Sequence, residues 1–216
     1  MIYMKNAAEH YDEYYEDVAK SAPFAAEMEG GNSLRRSVTL EYFEKSGAKK
    51  VLDAGCGPGF DSRYFHEKGF DVHACDVSGK ALKFAKTRNP GPRYFQWDIE
   101  KRPLKIKFDG IFAFEVIEHM FDYDAFLSNL RKSMKSGGIL VITTPNVLAP
   151  RNRIKLLLGN DEWFESKYHI HFFSPKTLIK ALERSGFKVL QVSSKGKISF
   201  LGTNFGGSLT AVARNG

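Results

Sequence analysis

Cysteine is scarce in this chain: two in 216 residues. Cys56 and Cys75 cannot build a disulfide framework, and neither has the company of further ligands at metal-binding spacing. Long apolar runs are also missing. The longest uncharged stretch with apolar character, Ile198–Ala213, is broken by glycines, serine, threonine and asparagine. It is too polar and too short to span a bilayer. Met1–Lys20 is polar and acidic rather than apolar, so no secretion signal is expected there and the cytoplasm is the expected location. The formal net charge of +7 and pI near 9.3 raise the question of an anionic partner. No run of five or six basic residues occurs, however, and no nucleic-acid-binding module is recognisable. A solvated basic surface is the expected reading, and nucleic acid stays open as a partner without being favoured. No internal repeat is visible.

What is present fits one soluble domain over 1–216. The chain is 43% hydrophobic and 26% charged, enough to bury a full core. Strand-like runs near 50–55, 70–76, 93–98, 108–114, 138–144, 187–194 and 208–213 alternate with helical stretches near 33–46, 60–68, 79–88, 122–134 and 175–185. That alternation predicts an α/β fold, a parallel doubly wound sheet with helices on both faces. Gly69, Gly137-Gly138 and Gly186 fall where helices should close. Ser78 and Ser174 read as N-caps, with Pro175 at the first position of its helix. Two segments stand outside the alternation: an N-terminal cap segment, 1–32, and a lid insert, 145–174, longer than an ordinary connection.

The most informative stretch is Val51-Leu52-Asp53-Ala54-Gly55-Cys56-Gly57-Pro58-Gly59-Phe60. A short apolar strand ends at an acid and enters a turn with glycine at every second position. Without a Cβ, such a turn lets a ligand approach the backbone N–H groups. The dinucleotide pattern G-x-G-x-x-G needs its third glycine at position 60, which is Phe60; the pattern here is D-x-G-x-G-x-G. The Asp53 carboxylate would repel a pyrophosphate and attract a cation. A bare strand-turn-helix without a ligand is the alternative. A second acid, Asp76, closes the next strand 21 residues after Gly55, near the spacing at which a carboxylate reaches ribose hydroxyls. A third, Asp98, closes Tyr94–Asp98.

On these residues the chain resembles the class I S-adenosylmethionine-dependent methyltransferases. The resemblance runs from about Lys50 to Val192, with a final strand near Leu209–Ala213. It implies a Rossmann-like seven-stranded sheet of order 3-2-1-4-5-7-6 with strand 7 antiparallel. It implies S-adenosyl-L-methionine as cofactor, held by Asp53, Gly55, Cys56, Gly57, Gly59, Asp76, Val77, Asp98, Ile99, Phe114 and Glu115. Asp98 would meet the adenine amino group and Ile99 the ring. Cys56 is a small residue of the turn rather than a nucleophile. From the cap segment Tyr11, with Tyr14 and Tyr15 as alternatives, would lie near the methionine part; Arg36 or Arg35 would pair with the cofactor carboxylate. Plain packing and a surface arginine are the competing readings.

Glu115-Val116-Ile117-Glu118-His119 carries the chemistry. In a helical turn Glu115, Glu118 and His119 share one side. The segment is similar to the E-x-x-E-H of quinone-biosynthesis O-methyltransferases and small-RNA 2′-O-methyltransferases. That similarity implies a divalent site of Glu115, Glu118, His119 and His171, with His169 as substitute, holding Mg2+ or Mn2+. His119 as general base, or a structural turn, are the other readings. Trp163, Tyr168, His169 and His171 in the insert would line an acceptor pocket. The expected activity is O-methylation of a small-molecule acceptor, such as a glycan or lipid precursor. The alternatives are RNA 2′-O-methylation, a cofactor-binding protein acting through a partner, and an NAD-linked enzyme.

Overall fold

In the computed structural model residues 8–9, 11–13, 15, 33–159, 169–194, 199–200, 203–204 and 206–216 are described. Trp163, Tyr168 and Tyr14 lie outside them. Seven strands are hydrogen-bonded in the order β3-β2-β1-β4-β5-β7-β6, the order the sequence resemblance implies. The chain divides into two units, Met1–Asp98 and Ile99–Gly216.

In the first unit α1 (Ser33–Ser46) leads into β1 (Lys50–Ala54), α2 (Phe60–Glu67), β2 (Asp71–Asp76), α3 (Gly79–Arg88) and β3 (Arg93–Gln96). β1 and β2 run parallel from Lys50↔Asp71 to Ala54↔Cys75, and β2 pairs β3 from His73↔Arg93 to Asp76↔Gln96. β1 and β2 are buried on both faces, as a parallel sheet requires, while β3 at the sheet edge is half-buried to exposed. Under them Phe43, Phe65 and Phe70 pack as tilted and edge-on rings 5.8–6.1 Å apart. Each such ring is worth about 1.5–3 kcal/mol of burial. Ser78 caps α3 by accepting from Ala81 N–H at 3.1 Å. β3 ends at Gln96, short of the expected Asp98.

In the second unit come β4 (Phe108–Phe114), a 3-10 turn (Ile117–His119), α4 (Tyr123–Lys132), β5 (Met134–Pro145), α5 (Pro150–Leu157), α6 (Pro175–Arg184), β6 (Phe187–Ser194) and β7 (Ser208–Asn215). A two-residue ribbon, Ser199–Phe200 with Thr203–Asn204, precedes β7. β4 and β5 are parallel; β7 is antiparallel to both β5 and β6. Phe108, Phe112, Phe126, Leu127, Leu130 and Ile139–Ile142 form the core. Ser174 closes a capping box with Thr177 and Pro175 stands in the first turn, as the Ser-Pro pair predicts.

Two expectations change. Gly137-Gly138 do not close a helix: α4 stops at Ser133, and both glycines lie inside β5. The register against β4 shifts between Phe108 and Gly110 at this place, and a Cβ on Gly138 would stand 2.9 Å from the Asp109 carbonyl oxygen. Glycine is demanded there by close strand approach. The insert, expected as a connection, begins with a helix, α5.

Candidate functional site

In the first unit the glycine turn folds back on β2: Gly55 and Cys56 N–H both donate to the Cys75 carbonyl, at 2.8 and 3.0 Å. Gly57 has φ +49, and a Cβ on it would lie 2.5 Å from the Tyr15 hydroxyl. Gly59 has φ +83 and opens α2; a Cβ there would meet Tyr94 Oη at 2.5 Å and Ala85 at 2.9 Å. Both positions need glycine for conformation and for room.

Asp76 braces this turn. Its Oδ2 accepts from Gly57 N–H and its Oδ1 from Ser78 N–H, both at 2.8 Å. A carboxylate has about four acceptor sites, so these two N–H groups do not exhaust it. Burial raises the Asp76 pKa, against the pull of those N–H groups. Asp53 is 3% exposed, and Ser62 Oγ donates to its Oδ2 at 2.5 Å. Burial pushes its carboxyl well above the usual range, with a smaller push from Asp61 and Asp76. Its partner is thus a hydroxyl of α2. Cys56 is buried and its thiol pushed well up, as suits a packing residue. Val77 offers its carbonyl to Gln96 Nε2 at 2.8 Å. Asp98 is partly buried just beyond β3.

The cap segment reaches this turn through Tyr15, one of the candidate tyrosines, and through Asp12. Tyr15 stands over Gly57 and Asp12 bonds Ser78; Tyr11 is half-buried. Arg36 Nε and Arg35 Nη2 both donate to Asp61, each at 2.6 Å, and the Arg36 guanidinium lies 4.8 Å from the Tyr64 ring centroid. The pairing shown for Arg36 is therefore with an acid of α2.

In the second unit Glu115 has φ +55, the one positive-φ residue other than glycine among those described. Its N–H donates to the Thr143 carbonyl at 3.0 Å, and Ser208 Oγ donates to its carboxylate at 2.9 Å. The expected helical i, i+3, i+4 face therefore does not form: the chain reverses hand at Glu115 before a single 3-10 turn. Glu118 is 1% exposed. Thr144 Oγ1 donates to its Oε2 at 3.0 Å, while Oε1 has no hydrogen-bond partner and lies 4.0 Å from His119 Nε2. Burial, reinforced by the Glu115 charge, raises the Glu118 pKa well above the carboxylate range.

One ligand atom each of Glu118, His119 and His169 lie within 4.8 Å of one another. The two imidazoles meet edge-on at 4.8 Å, and burial lowers the His169 pKa. His171, expected as the fourth ligand, stands outside this group, as does Glu115. The Glu118 carbonyl accepts from both Ile170 and His171 N–H, and the His171 ring turns edge-on to Tyr123 at 4.8 Å. Its Nε2 is buried without a partner. Phe114 is half-buried with its ring 5.0 Å from Phe112, and Ile99 is buried, its carbonyl accepting from Asn129.

A model of the methyltransferase domain matches residues 24–192. The chain belongs to this methyltransferase-domain family. The resemblance read from the glycine turn and its acids is borne out, and the seven-stranded order is the family's. A malonyl-[acyl-carrier protein] O-methyltransferase of Enterobacter lignolyticus is 31% identical over 139 residues, 64% of this chain and 50% of that protein. A ubiquinone biosynthesis O-methyltransferase of Rickettsia bellii is 29% identical over 152 residues, 65% of this chain and 62% of that protein. The chain spans about half the length of the curated relatives it matches. Among solved structures, magnesium protoporphyrin IX methyltransferase from Synechocystis PCC 6803 with bound SAH superposes with a TM-score of 0.72. It is 18% identical, with 97% of this chain and 98% of that one covered.

This methyltransferase domain also uses residues that the sequence does not flag. Ser62, Asp12, Thr144 and Ser208 each hold an acid or a cap, from 9 to 93 positions away in the chain. Only Ser62, on the first turn after the glycine motif, had a local signal.

Proposed function

We propose that the chain is an S-adenosylmethionine-dependent O-methyltransferase acting on a small-molecule acceptor, such as a glycan or lipid precursor. The observation that carries the reading is Asp76, buried, with one oxygen on Gly57 N–H of the glycine turn, the other on Ser78 N–H at the start of α3, and acceptor capacity beyond these two bonds. That arrangement fits a ribose diol beside a turn too tight for any side chain. When bound, the cofactor supplies a methyl already activated on sulfonium sulfur. The protein's share is alignment, exclusion of water and removal of the acceptor proton. His119 Nε2 takes that proton, with the buried Glu118 carboxyl group 4.0 Å away. Relatives named for O-methylation support oxygen as acceptor.

A second reading places a divalent cation on Glu118, His119 and His169, supported by the unpartnered Glu118 Oε1. Two imidazoles and one carboxylate are a softer set than the one expected from the sequence, so Mn2+ fits them better than Mg2+.

The test is transfer of labelled methyl from S-adenosylmethionine to cell-extract fractions, small molecules against RNA, with and without chelator. Label in the small-molecule fraction supports the proposal. Label in RNA would replace it with the 2′-O-methyltransferase alternative, and no label at all would leave a binding protein. Loss of transfer with chelator and its return with Mn2+ would select the second reading.

A further inference from the structure

β5 changes character toward its carboxyl end. Ile139-Leu140-Val141-Ile142 are apolar and buried, and Thr143-Thr144 follow, each fully buried. A strand accepts valine as readily as threonine at such a place, and a hydroxyl shut away from water costs free energy unless it is bonded. Both hydroxyls are bonded, and both to the segment Glu115–His119. Thr143 Oγ1 accepts from Glu115 N–H at 3.1 Å, and Thr144 Oγ1 donates to Glu118 Oε2 at 3.0 Å. Successive side chains of a strand point to opposite faces, so the two threonines hold this segment from different sides.

The Glu118 carboxyl depends on the second of these bonds. The 3-10 turn Ile117–His119 fixes its backbone, but the last torsion of a glutamate side chain is broad and nearly two-fold. The turn itself does not choose which oxygen faces His119. Thr144 makes that choice. It occupies Oε2 and leaves Oε1, which has no hydrogen-bond partner among the described residues, 4.0 Å from His119 Nε2. Long contacts of this kind at a reacting group commonly close when the acceptor binds. The threonine is also firmly held. β5 is paired on both sides, with β4 up to Phe114↔Thr143 and with β7 at Thr144↔Leu209. A residue on such a strand places its neighbour more precisely than one on a loop.

We infer that Thr144 is a positioning residue for proton removal: its hydroxyl turns the Glu118 carboxyl so that Oε1 stands beside the His119 nitrogen that receives the acceptor proton, placed to accept the new N–H as a hydrogen bond. The inference rests on the reading of His119 as the base. The acceptor O–H bond breaks, the proton goes to His119 Nε2, and the oxygen takes the methyl from the sulfonium; Thr144 and Glu118 exchange no proton in the step.

The experiment compares Thr144→Val, Thr144→Ser, His119→Ala and His119→Ala/Thr144→Val with the natural chain. It follows labelled methyl from S-adenosylmethionine into the small-molecule fraction of cell extract, at a temperature where every chain is folded. Valine keeps the shape and drops the hydroxyl. Its maximal rate should fall by about tenfold, with S-adenosylhomocysteine affinity and the half-saturating amount of extract unchanged. Serine keeps the hydroxyl and drops a methyl, so its rate should stay within about twofold of the natural chain's while its thermal midpoint falls. A residue that merely packs would give the reverse order, since valine fills the site and serine leaves a cavity. With His119 already removed, Thr144→Val should cost nothing further. An unimpaired Thr144→Val chain beside an inactive His119→Ala chain overturns this inference alone. A His119→Ala chain that keeps its turnover overturns the reading of the base and this inference with it. A Thr144→Val loss that Mn2+ fully restores also overturns it, because the hydroxyl would then serve a bound cation.

Discussion

The Ser78 hydroxyl donates a 2.5 Å hydrogen bond to the Asp12 carboxylate while it accepts from Ala81 N–H, so one side chain both caps α3 and fastens the N-terminal segment. Asp12 Oδ1 also accepts from Lys80 N–H at 3.2 Å, at the same helix start. An acid at a helix N-terminus is favoured by the unpaired N–H groups there.

Ser78→Ala should therefore lose both roles, about 2 kcal/mol in total at about 1 kcal/mol each. Asp12→Ala should cost about 1 kcal/mol, and Asp12→Ala/Ser78→Ala little more than Ser78→Ala alone. Urea unfolding of the four chains gives the cycle. Full additivity would mean that the bond contributes nothing in solution.

Asp76→Ala should weaken S-adenosylhomocysteine binding by about 1–3 kcal/mol, measured by calorimetry, because ribose hydroxyls are left unpaired. Since Asp76 also holds Gly57 and Ser78 N–H, the variant should unfold at lower temperature as well. Retained affinity in a folded variant would remove Asp76 from the cofactor site.

Glu118 gives a pH dependence of known sign. Its folded pKa is raised well above 4.5, by burial first and then by Glu115. The folded state therefore holds a proton that the unfolded chain has released. The stability it contributes is present below pH 4.5 and is lost as pH rises through the folded value. His169 works oppositely: burial lowers its pKa from 6.5, so stability falls as pH drops below 6.5. Glu118→Gln should remove the first effect alone. Its thermal midpoint relative to the natural chain should climb as pH rises above 4.5. A flat difference would mean that Glu118 ionises as freely folded as unfolded.

His119→Ala should lower kcat by about 10²–10⁴, the usual worth of a positioned base. Affinity for S-adenosylhomocysteine should hold, and the acid limb of the rate profile should disappear. Equal losses in binding and turnover would assign His119 to the framework instead.

Where a feature depends on neighbours in the chain, it was legible. The glycine turn, the spacing to Asp76, and the caps at Ser78 and Ser174 all act within a few residues or one βαβ unit, and the structure builds each as expected. Gly137-Gly138 misled because a helix stop and a close strand approach ask for the same residue. The choice between His169 and His171 depended on how the chain wraps the Glu118 carbonyl, which no periodicity encodes. Ser208 reaches Glu115 from 93 positions away, and nothing local to either residue announces the other.

Glu115 turns the backbone the wrong way for its own side chain, at φ +55. Conformations of this kind cost of order 1 kcal/mol or more outside glycine. Its charge also burdens its neighbour Glu118. Glycine at this position would ease both, at the loss of the Ser208 bond. Directed evolution for heat resistance alone should therefore drift away from glutamate at 115, whereas selection for turnover should restore it; the two screens would pull a single codon in opposite directions.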